Sequence, residues 1–214
     1  MAIIPNGITG PFVGRVGPVV GYISRGKAIM RSRPNFSKSR KFSIPQQQQH
    51  AKFSLMNKYL GPIIPFLNAT KKTGEMDLTG YNKAFSYNVK NAIAGSYPDL
   101  TIAYNMVLLS RGDLPNVQSP SIGPVSTGQI QVSWSDNSGT GMARGDDKLF
   151  VAVFCENLNN NWITGINMAH RSACNYLVNT PLFKGQQVHV YIGFLSASGN
   201  DVSDSLYVGT AQVD

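Results

Sequence analysis

Acidic side chains are missing from the first third of this sequence. Residues 1–74 contain 12 Lys or Arg and no Asp or Glu, whereas residues 75–214 contain 7 Lys or Arg and 11 acids. Charged residues make up only 14% of the chain, so its net charge of +8 comes from one end. Such an asymmetry is informative about partners. It predicts an acidic partner, either nucleic acid or a neighbouring subunit; a solvated basic arm without a specific partner is the alternative.

Cysteine is scarce, and long apolar runs are missing. Cys155 and Cys174 are too few for a disulfide framework and lie in apolar, strand-like runs, so free buried thiols are expected, with a single bridge as the alternative. No stretch reaches the roughly 20 apolar residues that a membrane-spanning helix needs. MAIIPNGITG lacks the early positive charge and apolar core of a signal peptide. The expected location is cytoplasmic at synthesis, then a virion or another large assembly.

Motifs of catalysis and of ligand binding are missing too. The sequence contains no G-x-S-x-G nucleophile elbow and no G-x-x-x-x-G-K-[ST] phosphate loop. The three histidines, His50, His170 and His189, lie far apart, and no C-x-x-C motif is present to bind a metal. We therefore predict a protein that is not an enzyme and that uses no cofactor and no metal.

What the N-terminus does contain is glycine and basic residues in a hairpin pattern. The stretch GPVVGYISRGKAIMRSRP predicts a strand, a tight turn at residues 25–26 and a return strand. Strand side chains alternate between faces, so Lys27, Arg31 and Arg33 share one face and Met30 lies on the other. The residues predicted to contact nucleic acid or an acidic partner are Arg15, Arg25, Lys27, Arg31, Arg33, Lys38, Arg40 and Lys41. Glycines allow another chain to approach closely, and the predicted subunit contacts are Gly14, Gly17, Gly21 and Tyr22.

Two helices and a series of short strands are predicted after this hairpin. Pro45 suits the start of the first helix, which should end near Gly61. Thr79 is the predicted N-cap of the second helix and Gly95 its stop. From residue 99, short β-like runs separated by Gly, Asn, Asp and Ser predict an antiparallel sandwich, and LFVAVF reads as a central strand because it is apolar on both faces.

The predicted fold class is therefore mainly β, of the α+β type. Its predicted parts are a basic, glycine-rich hairpin arm over residues 1–44, a helical segment over residues 45–98 and a β-sandwich domain over residues 99–214.

Several motifs in combination resemble an uncharacterised family of Bacteroidota proteins of about this length. They are G-P-F-x-G-x-V-G-x-V-V-G-Y, G-K-A-I-M-R-S-R-P, P-Q-Q-Q-Q-x-A-K-F, S-W-S-D-N-S and S-D-S-L-Y-V-G, which together span nearly the whole chain. The resemblance implies a domain of unknown function with no catalytic residues to transfer, and a C-terminal sandwich of the immunoglobulin or fibronectin type III kind. The basic hairpin and the Pro45–Gln49 segment are also similar, more loosely, to small phage-associated structural proteins.

Taken together, the sequence predicts a structural or assembly subunit of a large particle, most specifically a phage virion or a phage-like assembly. Its partners would be other protein subunits, in a homo- or hetero-oligomer, and possibly nucleic acid. The alternative is a stand-alone carbohydrate-binding or surface-adhesion module that uses the sandwich loops. In that case Asn160 and Trp162 of the NLNNNW segment would form the ligand loop.

Overall fold

Two units, each described by itself, make up the structure. The computed structural model describes residues 2–4, 10–24, 26–35, 41–72, 78–126, 128–158 and 161–214. Contacts divide the chain into an N-terminal unit, residues 1–43, and a C-terminal unit, residues 44–214. The predicted division between a helical segment and a sandwich at residue 98 stays a prediction.

The N-terminal unit is a four-stranded antiparallel sheet in which neighbouring strands follow one another along the chain. Its strands are β1 (Ala2–Ile3), β2 (Val13–Val16), β3 (Val19–Ser24) and β4 (Lys27–Ser32). The predicted hairpin is confirmed, since β3 and β4 pair from Val19 opposite Ser32 to Ser24 opposite Lys27. Gly17 and Gly26 have positive φ angles of 55° and 75°, which tight turns require and glycine adopts freely.

The C-terminal unit is built around a seven-stranded sandwich. The sandwich strands are β7 (Gln118–Ser126), β8 (Gln129–Ser135), β9 (Lys148–Cys155), β10 (Asn161–Gly165), β11 (Asn175–Asn179), β12 (Gln187–Leu195) and β13 (Leu206–Gln212); before them, β5 (Ile93–Ser96) and β6 (Asp99–Ile102) form a small hairpin. One sheet has the order β11-β8-β7 and the other β10-β9-β12-β13, with every pair antiparallel. Three strands facing four in this way make an immunoglobulin- or fibronectin III-like sandwich, which confirms the predicted fold class.

Among the described residues, three α-helices precede the sandwich. They are α1 (Ile44–Leu60), α2 (Ile64–Ala69), which follows α1 after a single 3-10 turn, and α3 (Gly80–Asn91). Pro45 lies in the first turn of α1, and that helix ends immediately before Gly61, as predicted. The N-cap prediction is also confirmed, because the Thr79 side chain accepts a hydrogen bond from the Asn82 amide at 3.2 Å. Among the described residues, no helix is long and apolar enough to cross a membrane.

The predicted stop of the last helix at Gly95 is wrong. That helix ends at Asn91, and Gly95 lies in β5, opposite Leu100 of β6. Gly95 has a φ of +80°, and a Cβ at this position would lie 2.3 Å from the Asp99 carbonyl oxygen. The glycine therefore serves a tight hairpin instead of a helix end.

Both faces of the four-stranded sheet of the sandwich, β10-β9-β12-β13, are buried. Along β9, Leu149, Val151 and Val153 face the other sheet of the sandwich. Phe150 and Phe154 point the opposite way, into a second core that α1, α2 and α3 cover. No residue from 149 to 155 is more than 2% exposed. LFVAVF is thus the predicted central strand, and its apolar residues on both faces are explained by the helices.

Aromatic side chains attach α1 to this sheet. The hydroxyls of Tyr59 and Tyr191 lie 3.2 Å apart, and the Tyr191 hydroxyl donates to the Tyr104 carbonyl at 2.8 Å. Trp162 donates its indole N–H to the Tyr59 carbonyl at 2.9 Å, and the ring centroids of Tyr59 and Phe154 are 4.7 Å apart. Burial raises the pKa of the Tyr59 and Tyr191 hydroxyls well above the ordinary tyrosine value, so both stay neutral and hydrogen-bonded.

The two cysteines are free thiols in different settings. Cys155 is fully buried in the sandwich core, as predicted. Cys174 is only half-buried, because it lies outside a strand: it follows the 3-10 turn Arg171–Ala173 with a left-handed φ of 60°, and β11 begins at the next residue. For Cys174, the prediction of a buried thiol in a strand is therefore wrong.

A buried ion pair holds the loop before β9 against the sandwich. Arg171 is fully buried and its Nε donates to Asp147 Oδ2 at 3.0 Å, while Nη1 and Nη2 donate to Asn137 Oδ1 at 2.6 Å and Pro115 O at 3.0 Å. The guanidinium carbon lies 4.0 Å from the centroid of the Phe194 ring. The Arg171 guanidinium therefore connects three segments of the chain, which contain Pro115, Asn137 and Asp147.

Removing the negative charge of this pair should destabilise the protein strongly. We expect Asp147→Asn to lower the free energy of unfolding by about 3–5 kcal/mol, because it leaves a buried guanidinium without its counter-charge. Urea unfolding followed by circular dichroism measures this loss. The matched control is Asp146→Asn, at an exposed neighbouring carboxylate, for which we expect a change within about 0.5 kcal/mol. Equal effects of the two substitutions would contradict the assignment.

Candidate functional site

The N-terminal sheet carries its positive charges on one face. Arg15 lies opposite Val20, which in turn lies opposite Arg31. Residues directly opposite one another in a sheet project from the same face, so both arginines share it. Lys27 lies four residues before Arg31 on β4, so its side chain projects from the same face. The Arg33 amide continues the pairing by donating to the Pro18 carbonyl at 2.7 Å. We call Arg15, Lys27, Arg31 and Arg33 the cationic face.

Every member of the cationic face is exposed. Neighbouring strands lie about 4.8 Å apart, so the backbones of Arg15 and Arg31, on either side of β3, are about 10 Å apart. The Arg31 guanidinium lies 5.5 Å from the centroid of the Tyr22 ring, and Arg15 Nε donates to the Gly17 carbonyl at 3.1 Å. No acid occurs in residues 1–74, so an extended surface of one sign is available to an anionic partner.

The opposite face of the same sheet is apolar. It carries side chains that alternate with those of the cationic face, and we call this set the apolar face: Ile4, Phe12, Val16, Val19, Ile23 and Met30. Five of them, all but Ile23, line a groove of about 500 Å³. Met30, Val16 and Ile23 are 66%, 55% and 51% exposed. Among the described residues, the charges are confined to one side of the sheet, and that side also carries the exposed residues Ile3, Val13 and Ile29. The opposite side carries no charged side chain.

This unit has almost no interior. Among its described residues, only Gly21 is buried. Phe12 lies directly over it: a Cβ on Gly21 would be 2.4 Å from the Phe12 carbonyl oxygen and 2.7 Å from its ring. The close approach predicted at the glycines is thus made within the unit. Contact of Gly14, Gly17, Gly21 or Tyr22 with another subunit stays a prediction.

The structure gathers half of the predicted cation set. Arg15, Lys27, Arg31 and Arg33 share a face, while Lys41 is exposed in the segment before α1. The remaining predicted site residues lie outside the described residues: Arg25, Lys38, Arg40 and Asn160.

Trp162, the other residue of the predicted ligand loop, packs inside the C-terminal unit. It lies on β10, its indole N–H is bonded to the Tyr59 carbonyl, and its ring centroid is 4.9 Å from that of Phe154. This packing gives the indole a structural role between α1 and the sheet. A ligand-binding role for Trp162 stays a prediction.

Sequence reasoning did not identify the apolar face as a site. The signal was available in the period-two pattern of β2, β3 and β4, where Val16, Val19, Ile23 and Met30 alternate with the opposite set. Glycine at positions 14 and 21 interrupts that pattern. Phe12 reaches over Gly21 from before β2, and no local pattern predicts this contact.

These features define a β-sandwich protein that carries an N-terminal sheet whose described charges lie on one side. The chain belongs to a protein family of unknown function, DUF6266, whose family model matches residues 11–209. No curated protein matches the sequence. A source in Bacteroidota and the looser phage similarity stay predictions.

Three solved structures that are similar to this chain each cover less than half of it. A fibronectin type III domain of human collagen alpha-1(XX) is 10% identical, with a TM-score of 0.36 over 46% of this chain and 84% of that one. The FN1–FN3 domains of chicken CNTN1 are 13% identical, with a TM-score of 0.38 over 48% of this chain and 34% of that one. A family 76 glycoside hydrolase from a bovine Bacteroides thetaiotaomicron strain is 18% identical, with a TM-score of 0.35 over 46% and 20%.

The packing of Phe12 over Gly21 can be tested by adding one methyl group. We expect Gly21→Ala to cost about 1–3 kcal/mol through overpacking. Because only Gly21 is buried among the described residues of this unit, that cost should open the pairing of β2 with β3. Amide hydrogen exchange should then become faster over residues 13–24 and stay unchanged over residues 129–213. Ser24→Ala on the same strand is the control and should leave both regions unchanged. Unaltered exchange in Gly21→Ala would contradict this packing.

Proposed function

We propose that this chain is a non-catalytic assembly module. It associates with a second copy of itself through the apolar face and binds a polyanion through the cationic face. The observation that carries the proposal is a sheet with only one described buried residue, in which all described charges lie on one side and the opposite side is uncharged and largely apolar. A small sheet of this kind needs a hydrophobic contact on its apolar side to be stable in water.

A second copy suits the apolar face because no charged side chain is described on it. Two such sheets packed face to face would lie about 10 Å apart, with Val16, Val19 and Met30 of each copy in the middle. A twofold axis makes this interface self-complementary, since the same patch serves both partners. The cationic faces would then point away from each other, so their mutual repulsion opposes the contact only weakly. No ion has to lose its hydration for the dimer to form.

A polyanion suits the cationic face because its charges are spread over three strands instead of converging on one point. Phosphates along a nucleic acid backbone can each meet one lysine or arginine, and the counterions released drive association. Contacts of this kind carry no base specificity. An acidic protein surface would use the same cations, and the DNA-binding measurements described below test for nucleic acid as the partner.

A self-associating module with a polyanion-binding side has the properties of a subunit in a nucleoprotein particle. The structural or assembly role predicted from the sequence is therefore retained within this proposal. The phage particle is one specific case, which rests on the sequence resemblance and which the proposal does not require. Of the two residues of the alternative ligand loop, Trp162 is engaged by the fold, so we do not advance a carbohydrate-binding function.

The dimer contact can be tested with two neighbouring residues of β4 that lie on opposite faces. Met30→Asp places a carboxylate in the proposed interface, where burial without a counter-charge costs several kcal/mol. We expect this variant to be monomeric and the wild type dimeric or larger, as measured by sedimentation velocity over a range of concentrations. The matched control is Ile29→Asp on the cationic face, which should leave the association state unchanged. A monomeric wild type, or equal effects of the two substitutions, would rule out the proposed interface.

The polyanion contact can be tested through its dependence on salt. If the four cations each meet a phosphate, the logarithm of the DNA affinity should fall with the logarithm of salt concentration with a slope of about −3 to −4. Arg31→Gln/Arg33→Gln should make this slope about 2 units less steep. Fluorescence anisotropy with a labelled random-sequence duplex measures both slopes.

The control for the salt experiment removes the same charge elsewhere. Lys58 and Lys184 are exposed lysines of the C-terminal unit, and Lys58→Gln/Lys184→Gln should leave the slope unchanged. Absence of DNA binding in the wild type, or equal slopes in the two double variants, would count against nucleic acid as the partner of the cationic face.

A further inference from the structure

The C-terminal unit contains a cleft that the assembly role does not use. It has a volume of about 670 Å³ and lies between the end of α2, one side of α3 and the segment 108–113. A cleft of this size matches the usual range for small-molecule sites. Among the described residues, its lining contains five cations and two acids: Lys71, Lys72, Lys83, Lys90, Arg111, Asp113 and Asp204.

Helix α3 forms one wall of the cleft. Lys83, Tyr87 and Lys90 line it at spacings of four and three residues, which places them in a row along one side of the helix. At a rise of 1.5 Å per residue, the backbones of the two lysines lie about 10 Å apart. The apolar part of the lining includes Ala84 and Leu109, both buried. The cleft therefore combines an apolar, aromatic surface with charges near both ends of the α3 wall.

The acids of the lining are already engaged by their own surroundings. Asp113 forms an ion pair with Lys72, and Asp204 Oδ1 accepts the Gly112 amide at 3.0 Å. Burial lowers the pKa of Lys83, and the positive charges of Lys71 and Lys72 lower it further. Lys83 therefore lies within the electrostatic influence of both lysines.

We propose that this cleft binds a small polyvalent anion that carries at least two phosphate groups. Lys71, Lys90 and Arg111 come from three different segments of the lining, and cations spread in this way fit successive phosphates better than a single one. Lysine and arginine form charge-assisted hydrogen bonds with phosphate oxygens. Tyr87 offers a ring to a flat apolar group. Both a nucleoside triphosphate and an inorganic oligophosphate have the required chemistry. The site shares no residue with the cationic face, so this proposal and the assembly role can be tested independently.

The first test locates the binding site on the full-length chain. Lysines are acylated at limiting reagent with and without tripolyphosphate and are quantified by mass spectrometry. We expect Lys71 and Lys90 to be protected and Lys58, which lies outside the cleft on α1, to react equally in both samples. Equal protection of all three lysines would overturn the proposal, because it would indicate diffuse attraction to a basic protein.

The second test measures affinity by titration calorimetry in an Arg31→Gln/Arg33→Gln background, which reduces binding to the cationic face. In this background, Lys71→Gln/Lys90→Gln should weaken tripolyphosphate binding by about tenfold, as expected for two partly exposed ionic contacts. Lys58→Gln/Lys184→Gln removes the same charge outside the cleft and should leave the affinity within about twofold. Equal losses in the two double variants, or no binding at all, would overturn the proposal.

A parallel titration with a nucleoside triphosphate identifies the source of the ligand. Tighter binding than tripolyphosphate, lost on Tyr87→Ala, would assign the cleft to a nucleotide. Equal affinity for both, insensitive to Tyr87→Ala, would assign it to inorganic oligophosphate. Either result requires the cleft lysines, whereas inorganic monophosphate binding as tightly as tripolyphosphate would contradict a polyvalent ligand.

Discussion

The C-terminal unit depends on the burial of both faces of its four-stranded sheet, β10-β9-β12-β13. In β9 and β12, alternate side chains enter two different cores, one between the sheets and one beneath the helices. Each large apolar side chain withdrawn from water contributes about 1.5–3 kcal/mol. Loss of the helices would expose Phe150, Phe154 and Tyr191 together. The helices are therefore part of the folded body, and the buried Tyr59 and Tyr191 hydroxyls are satisfied by one another and by the Tyr104 carbonyl.

The two units thus differ sharply in how much side-chain surface they bury. The C-terminal unit buries aromatic rings, two apolar cores and even the Arg171–Asp147 ion pair. The N-terminal unit buries only Gly21 among its described residues and leaves Met30 and Val16 more than half exposed. A large contiguous apolar patch on a protein surface commonly marks an interaction site. This contrast makes the N-terminal sheet a stronger candidate for a binding surface than the sandwich loops.

Features with local causes could be predicted from the sequence. Pro45 and Thr79 act within one helical turn, and the alternation of Lys27, Met30 and Arg31 follows from the geometry of a single strand. Features that depend on distant partners could not. Gly95 looks like a helix stop until β6 pairs with its strand, and Trp162 looks like a loop residue until α1 covers it. The cleft could not be predicted from the sequence for the same reason. Its cations lie on three separate segments, and only the packing of α3 beside residues 108–113 brings them into one lining.

The opposed faces of the N-terminal sheet also restrict how an assembly of this chain would meet its polymer. In a face-to-face dimer the two cationic faces point in opposite directions, so one straight duplex can contact only one of them. Such a dimer either bridges two segments of polymer or requires one segment to bend around it, and bending a short duplex sharply costs several kcal/mol. Bridging avoids that cost and gains from the second contact, because a tethered face encounters polymer at a raised local concentration. The proposed arrangement therefore favours condensation of a polyanion between subunits over the coating of a single strand.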